Sequence, residues 1–311
     1  MHLGRRIRTT ATAFMGLALA ACTLPGPAPT PRALPAATAA PAPPTERSAA
    51  AAVYFAQVQQ TLLSQGLLRS DPGTDVPYTD RMLAENFMRI ALYTEYRRGT
   101  SGLVRAETEG ELRRWEVPVR VGLRFGASVP ADRQATDRAQ VASYLARLSR
   151  ITGHPIALDD NDPNFLIHVV SEDERIALGP RLRAALPGLA PGDIAGVTNL
   201  PSTTYCVVYA LSEGSSGAYT RAFAVVRAEH PDLLRLSCLH EEIAQALGLP
   251  NDSPRARPSI FNDDEEFALL TDHDELLLRI LYSRELRPGM TADEAQPIVY
   301  SLARRLLGGN S

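Results

Sequence analysis

The residues best suited to chemistry lie in the run SCLHEEIAQALGLPNDSPRARPSIFN, residues 237–262. Two carboxyl groups are adjacent there, Glu241 and Glu242. Gln245 follows four residues after Glu241, and Asn251 comes after a glycine, Gly248. Side chains four apart on a helix stand one above the other, so Glu241 and Gln245 share a face. Glu242, if enclosed by apolar neighbours, would resist ionisation and could act as an acid or a base without any metal. The same carboxyl could instead be tied into the loop 249–262. Gln245 and Asn251 suit such a network because an amide both donates and accepts.

Other groups carry less specific chemistry. Asp159, Asp160 and Asp162 offer oxygen ligands of the kind that hold Ca²⁺, and equally suit a solvated turn. His168 lies inside an apolar run and reads as a packed or hydrogen-bonded histidine rather than a ligand. His240, beside Glu241, could ligate or hydrogen-bond nearby, and His230 and His273 read as surface residues. Apart from Cys22, the cysteines are Cys206 and Cys238. An even pair in an exported chain suggests a disulfide, the alternative being two buried thiols.

The elements that must position these groups follow from periodicity. Helical spacing of apolar residues marks 51–68, 79–97 with Thr79 as N-cap, 132–152 closed by Gly153, 172–186, 231–247, 272–282 and 291–307. Pro231 and Gly248 bracket the helix that carries Glu241 and Glu242. Residues 114–125 alternate as one half-buried strand, with Pro118 marking an edge or a bulge. Residues 165–170 form a second strand, 187–201 a Gly/Pro loop, and 204–211 and 219–228 a hairpin-like pair. The expected class is α+β or mixed α/β, a twisted mixed sheet with helices on it.

The segment Glu241-Glu242-Ile243-Ala244-Gln245-Ala246-Leu247-Gly248-Leu249 resembles the H-E-x-x-H-x-L-G-L helix of metzincin zinc peptidases, especially the matrixin-like ones. Ser259-Ile260-Phe261-Asn262 is similar to their Met-turn, with Phe261 where the methionine would stand. Residues 270–282 look like their final helix, and the strand–helix–strand order upstream fits a zincin N-terminal half. The resemblance implies a zincin-like fold. It places Glu242 at the general base. It places Glu241 and Gln245 at the two helical zinc ligands and Asn251 at the third. Amide oxygens are poor zinc ligands, so no zinc cofactor is expected. In a second register His240-Glu241 would open the motif and Ala244 would take the second ligand position, but the Ala-Leu-Gly-Leu match then falls out of place. Residues 110–290 are also similar to a bacterial family catalogued as domain of unknown function 2927, whose members look exported or lipid-anchored.

The first 21 residues read as a lipoprotein signal peptide: Arg5, Arg6 and Arg8, then a short apolar core, then Leu19-Ala20-Ala21-Cys22. This resembles a lipobox, which implies lipidation of Cys22, and Thr23 after it favours the outer membrane. Residues 22–50 are a Pro/Ala-rich spacer too poor in apolar side chains to fold. Then come a helical segment, 51–110, and the zincin-like domain, 111–311. A net charge of −3 and no long run of like charge argue against nucleic acid; every basic residue is arginine. The expected protein is a lipid-anchored envelope protein whose partners are the membrane and a peptide or envelope protein. It would act as a non-catalytic binding or scaffolding module, or else as an atypical peptidase or hydrolase using Glu242.

Overall fold

A computed structural model describes residues 43–308 except 100, 101, 187 and 215. The expected leader, Cys22, Thr23 and most of the spacer lie outside the described residues. In chain order the elements are α1 (Glu46–Ser64), α2 (Asp80–Leu92), β1 (Tyr93–Gly99), β2 (Gly102–Glu109), β3 (Arg114–Trp115), β4 (Val119–Phe125), α3 (Ala131–Thr152), β5 (Ile156–Leu158) and β6 (Phe165–Val170). There follow α4 (Glu172–Ile176), α5 (Gly179–Ala185), α6 (Pro191–Thr198), β7 (Cys206–Ser212), β8 (Ala218–Arg227), α7 (Asp232–Gly248), α8 (Asp272–Leu281) and α9 (Ala292–Leu306). Among the described residues no helix is long and apolar enough to cross a membrane.

The class is mixed α/β with a largely parallel sheet. β5, β4, β6 and β8 run side by side and parallel, and β7 pairs antiparallel with β8. Strands buried on both faces are apolar throughout, as FLIHVV of β6 nearly is. Phe165, Ile167, Val169, Ala222, Ala224 and Val226 share one core with Val141, Leu145 and Leu148 of α3 and Leu239 and Ile243 of α7. On the other face Phe223 and Val225 pack against Leu178, Leu182, Ile194 and Val197 of the α4–α6 layer.

Several boundaries differ from the sequence reading. The single strand over 114–125 is two, β3 and β4, broken around Pro118, whose missing N–H cannot join a ladder; Val117 is exposed there. The helix read over 79–97 ends at Leu92 and the chain turns into the β1–β2 hairpin, so 51–110 is not all helical. The helix over 172–186 is two short ones, and the 187–201 loop contains α6, opened by Pro191 at its first position. The helix α1 begins at Glu46, inside the expected spacer, with Thr45 accepting from Ser48 N at 3.2 Å. It belongs to the fold: Ser48 Oγ donates to Glu229 at 2.7 Å, and Phe55 meets the His230 ring edge-on at 4.4 Å.

Candidate functional site

Helix α7 leaves the sheet directly after β8 and is buried on most sides, from Leu234 to Gly248. Its free ends find partners. At the start, Leu234 N donates to Gln59 Oε1 of α1 at 3.0 Å. Arg235, buried, reaches Asp137 of α3 at 2.9 Å and the carbonyl of His230 at 3.0 Å. At the end, Trp115 Nε1 donates to Ala246 O at 2.8 Å and Tyr282 Oη to Leu247 O at 3.0 Å. These are carbonyls that a helix terminus leaves unsatisfied. Gly248 has φ +126°, a conformation that costs a side-chain-bearing residue energy, and an added Cβ would run into Arg113 O. Cys238 is disulfide-bonded to Cys206 with Cα atoms 5.9 Å apart, which ties α7 to strand β7.

Glu242 is 4% exposed, and its Oε2 has no hydrogen-bond partner. Burial, with Asp252 adding repulsion, pushes its carboxyl well above the ordinary range. Glu241 is half-buried beside it and is also pushed well up, by burial first and then by Asp252, Glu242, Glu265 and Asp263. The Gln245 amide lies between Glu241 and Asp252, donating to Asp252 Oδ1 at 3.2 Å and lying 3.5 Å from Glu241 Oε1. Glu265, at φ +58°, is raised to about 7 by burial and the neighbouring Asp264 and Asp263. Burial and mutual repulsion thus favour the neutral acid form of Glu241, Glu242 and Glu265 over what free glutamates would show. A neutral acid can donate a hydrogen bond, but it is a poor proton acceptor and a poor ligand for a cation.

Asn251 does not join that cluster as a ligand would. Its Nδ2 donates to Arg89 O at 3.1 Å and its backbone N–H to Ile90 O at 3.2 Å, closing the last turn of α2. Its Oδ1 is buried without a partner. The turn that follows is held by Asp274 of α8, which is fully buried. Asp274 accepts from Ser259 Oγ at 2.5 Å, Ile260 N at 3.0 Å and Thr271 N at 3.0 Å. Phe261 is buried in the main core, and its N–H donates to Ser259 Oγ at 3.0 Å.

Three histidines, His230, His240 and His273, are structural. His240 stacks on Tyr144 at 3.8 Å, and its Nδ1 accepts from Leu270 N at 3.2 Å. That bond requires a neutral ring, consistent with a pKa that burial and Arg147 push down to about 3. His230 and His273, read as surface residues, are both fully buried. The first packs under α1, and the second lies 3.1 Å from Asn86 Nδ2 and edge-on to Tyr78. Asp160, a candidate calcium ligand, instead pairs with Arg124 and Arg138. Among the described residues no three His, Cys, Asp or Glu side chains are arranged to hold a metal ion.

The structure thus brings Glu241, Glu242 and Gln245 together and sends Asn251 elsewhere. Sequence reasoning missed Asp252, Glu265 and Asp274. For Asp274 a signal existed: Thr271-x-x-Asp274 is a capping box at the start of α8. Asp252 and Glu265 lie in loops whose fold the local sequence does not specify.

A family model described as "Protein of unknown function (DUF2927)" matches residues 80–301, and the chain belongs to that family. The match runs from the start of α2 into α9, wider than the 110–290 read from the sequence. No curated protein and no solved structure matches the chain.

Proposed function

We propose that this DUF2927 member is a zincin-like domain without metal chemistry that serves as a binding module tethered to the cell envelope. Cys22 would carry the lipid anchor, residues 23–45 would give reach from the outer membrane, and the folded part would meet a peptide or envelope protein. One observation carries the reading. At two of the three positions that the resemblance gives to metal ligands stand amides anchored through their N–H groups, Gln245 to Asp252 and Asn251 to the end of α2. The order of the elements supports the zincin-like assignment, because α7 follows the sheet directly and β7 is an antiparallel edge strand. Such an edge can accept an extended peptide as an added strand.

Metal analysis of the purified chain tests the proposal. Zinc far below one atom per chain is expected, and about one tightly held zinc per chain would refute it. The unpartnered, hard-to-ionise Glu242 favours a second reading, a carboxyl-based hydrolase. In that case Glu242→Gln abolishes a measurable peptidase or amidase activity without lowering thermal stability at neutral pH.

A further inference from the structure

On the sheet face away from α7, a cavity of about 480 Å³ opens between the strands and the α4–α5 layer. It starts at the C-terminal end of β4, at Arg124 to Ala127, and runs along β6 past His168 and Leu166 to Phe223. Its place in the topology is informative. The chain leaves β4 for β5 on one side, through α3, and the neighbouring strand β6 feeds α4–α6 and β8 on the other. Adjacent strands whose connections part in this way leave a crevice beyond their C-terminal ends, where open α/β sheets hold ligands. The volume lies within the usual range for small-molecule sites.

The walls define the chemistry. Leu166, Leu178, Leu182, Leu186 and Phe223 make the body apolar. Two polar groups face it unpaired: among the described residues neither ring nitrogen of His168 and no atom of the Arg181 guanidinium has a hydrogen-bond or ion-pair partner. The other charges at the mouth are already occupied. Arg124 pairs with Asp160 at 3.3 Å, and Glu174 accepts from Ser128 Oγ at 2.6 Å and from Ser171 N at 2.8 Å. An unpaired guanidinium beside a neutral imidazole, over an apolar pocket, matches an anionic group on an apolar body. We propose that this crevice binds a small monocarboxylate with an apolar body, its carboxylate held by Arg181 and His168 and its body lying on Leu166, Leu182 and Phe223. Burial, with Arg124 and Arg181 nearby, holds the His168 pKa down to about 4. A carboxylate there reverses part of that effect.

Calorimetric titration of the full chain with decanoate, and with decanol as the uncharged control, tests the site. Decanoate is expected to bind saturably below the concentration at which it forms micelles, with decanol about fivefold weaker or more. Arg181→Gln should weaken decanoate by about fivefold and leave decanol unchanged, because it removes the charge and not the pocket. Ala177→Trp, at an exposed lining position, should block both. In a proton NMR titration the His168 pKa should rise on saturation with decanoate. Absence of saturable decanoate binding would overturn the proposal. So would binding that both variants leave at full strength, or a His168 pKa that does not move in the bound state.

Discussion

Glu242→Gln should change the stability of the domain in opposite directions at the two ends of the accessible pH range. In the folded chain burial holds the Glu242 carboxyl neutral well above its ordinary range, whereas in the unfolded chain it ionises near pH 4.3 as a free glutamate does, to within about one pH unit. Above that pH the folded state binds more protons than the unfolded state. Stability therefore falls with rising pH, by about 1.4 kcal/mol per pH unit for one such group, until the folded pKa is passed. Glutamine has the shape of the neutral acid and does not titrate, so the variant lacks this loss. It does bring an extra N–H donor to a pocket where Oε2 already has no partner, at a cost of about 1–3 kcal/mol. Near pH 4.5 the wild type should be the more stable by about that amount. The curves should cross between about pH 5 and 6.5, and the variant should lead above neutrality. Glu241 titrates with Glu242, so the measured difference belongs to the pair. His168, His230 and His240, whose folded pKa values are depressed, act in the opposite direction below about pH 6.5; they act on both proteins and cancel in the difference. Urea denaturation followed by Trp115, the chain's one tryptophan, reads the end of α7 directly. A stability difference that stays constant from about pH 4.5 to 8 would refute the reasoning.

Two further perturbations test what holds the site together. Replacing Cys206 and Cys238 with serine opens a loop of 32 residues, which the chain-entropy relation values at about 3.7 kcal/mol, so the thermal midpoint should fall by about 7–15 °C; two reactive thiols in the unreduced wild type would refute the premise. Asp274→Ala leaves Ser259 Oγ, Ile260 N and Thr271 N without their shared acceptor inside the core, and should cost at least about 3 kcal/mol while making the 249–262 loop a protease target; an unchanged denaturation midpoint would refute the assignment.

Much of the fold was legible because local signals and tertiary demand agreed. Helix α7 was readable between Pro231 and Gly248, and the β7–β8 hairpin between two apolar runs. The Cys206–Cys238 bridge was readable from an even cysteine count. Where reading failed, the deciding partner was distant in sequence. Nothing near His273 announces that Asn86 and Tyr78 enclose it, and nothing near His230 announces Phe55. The run Tyr93 to Gly99 carries β-forming residues at the end of a good helix, and the strand preference wins after Leu92 because Tyr93 to Gly99 pairs with Gly102 to Glu109. Asn251 illustrates the limit most clearly. Its place in the motif suggested a ligand position, but its contacts belong to α2, some 160 residues earlier in the chain.

The candidate site is therefore better explained by which connections it makes than by which ligands it lacks. A metal at the resembled positions would join α7 to the loop that follows it. Here three separate ties make the connections around that loop. Gln245 to Asp252 links α7 to the loop, Asn251 links the loop to α2, and Asp274 links the 259–261 turn to α8. The disulfide fixes α7 to the sheet from the other end. None of these ties requires a charged Glu241 or Glu242, in keeping with two carboxyls that burial makes hard to ionise. A network of this kind holds α7 and the turn after it in a fixed arrangement. It also leaves Glu242 a carboxyl that burial and Asp252 make hard to ionise, which shifts upward the pH range in which it could exchange a proton.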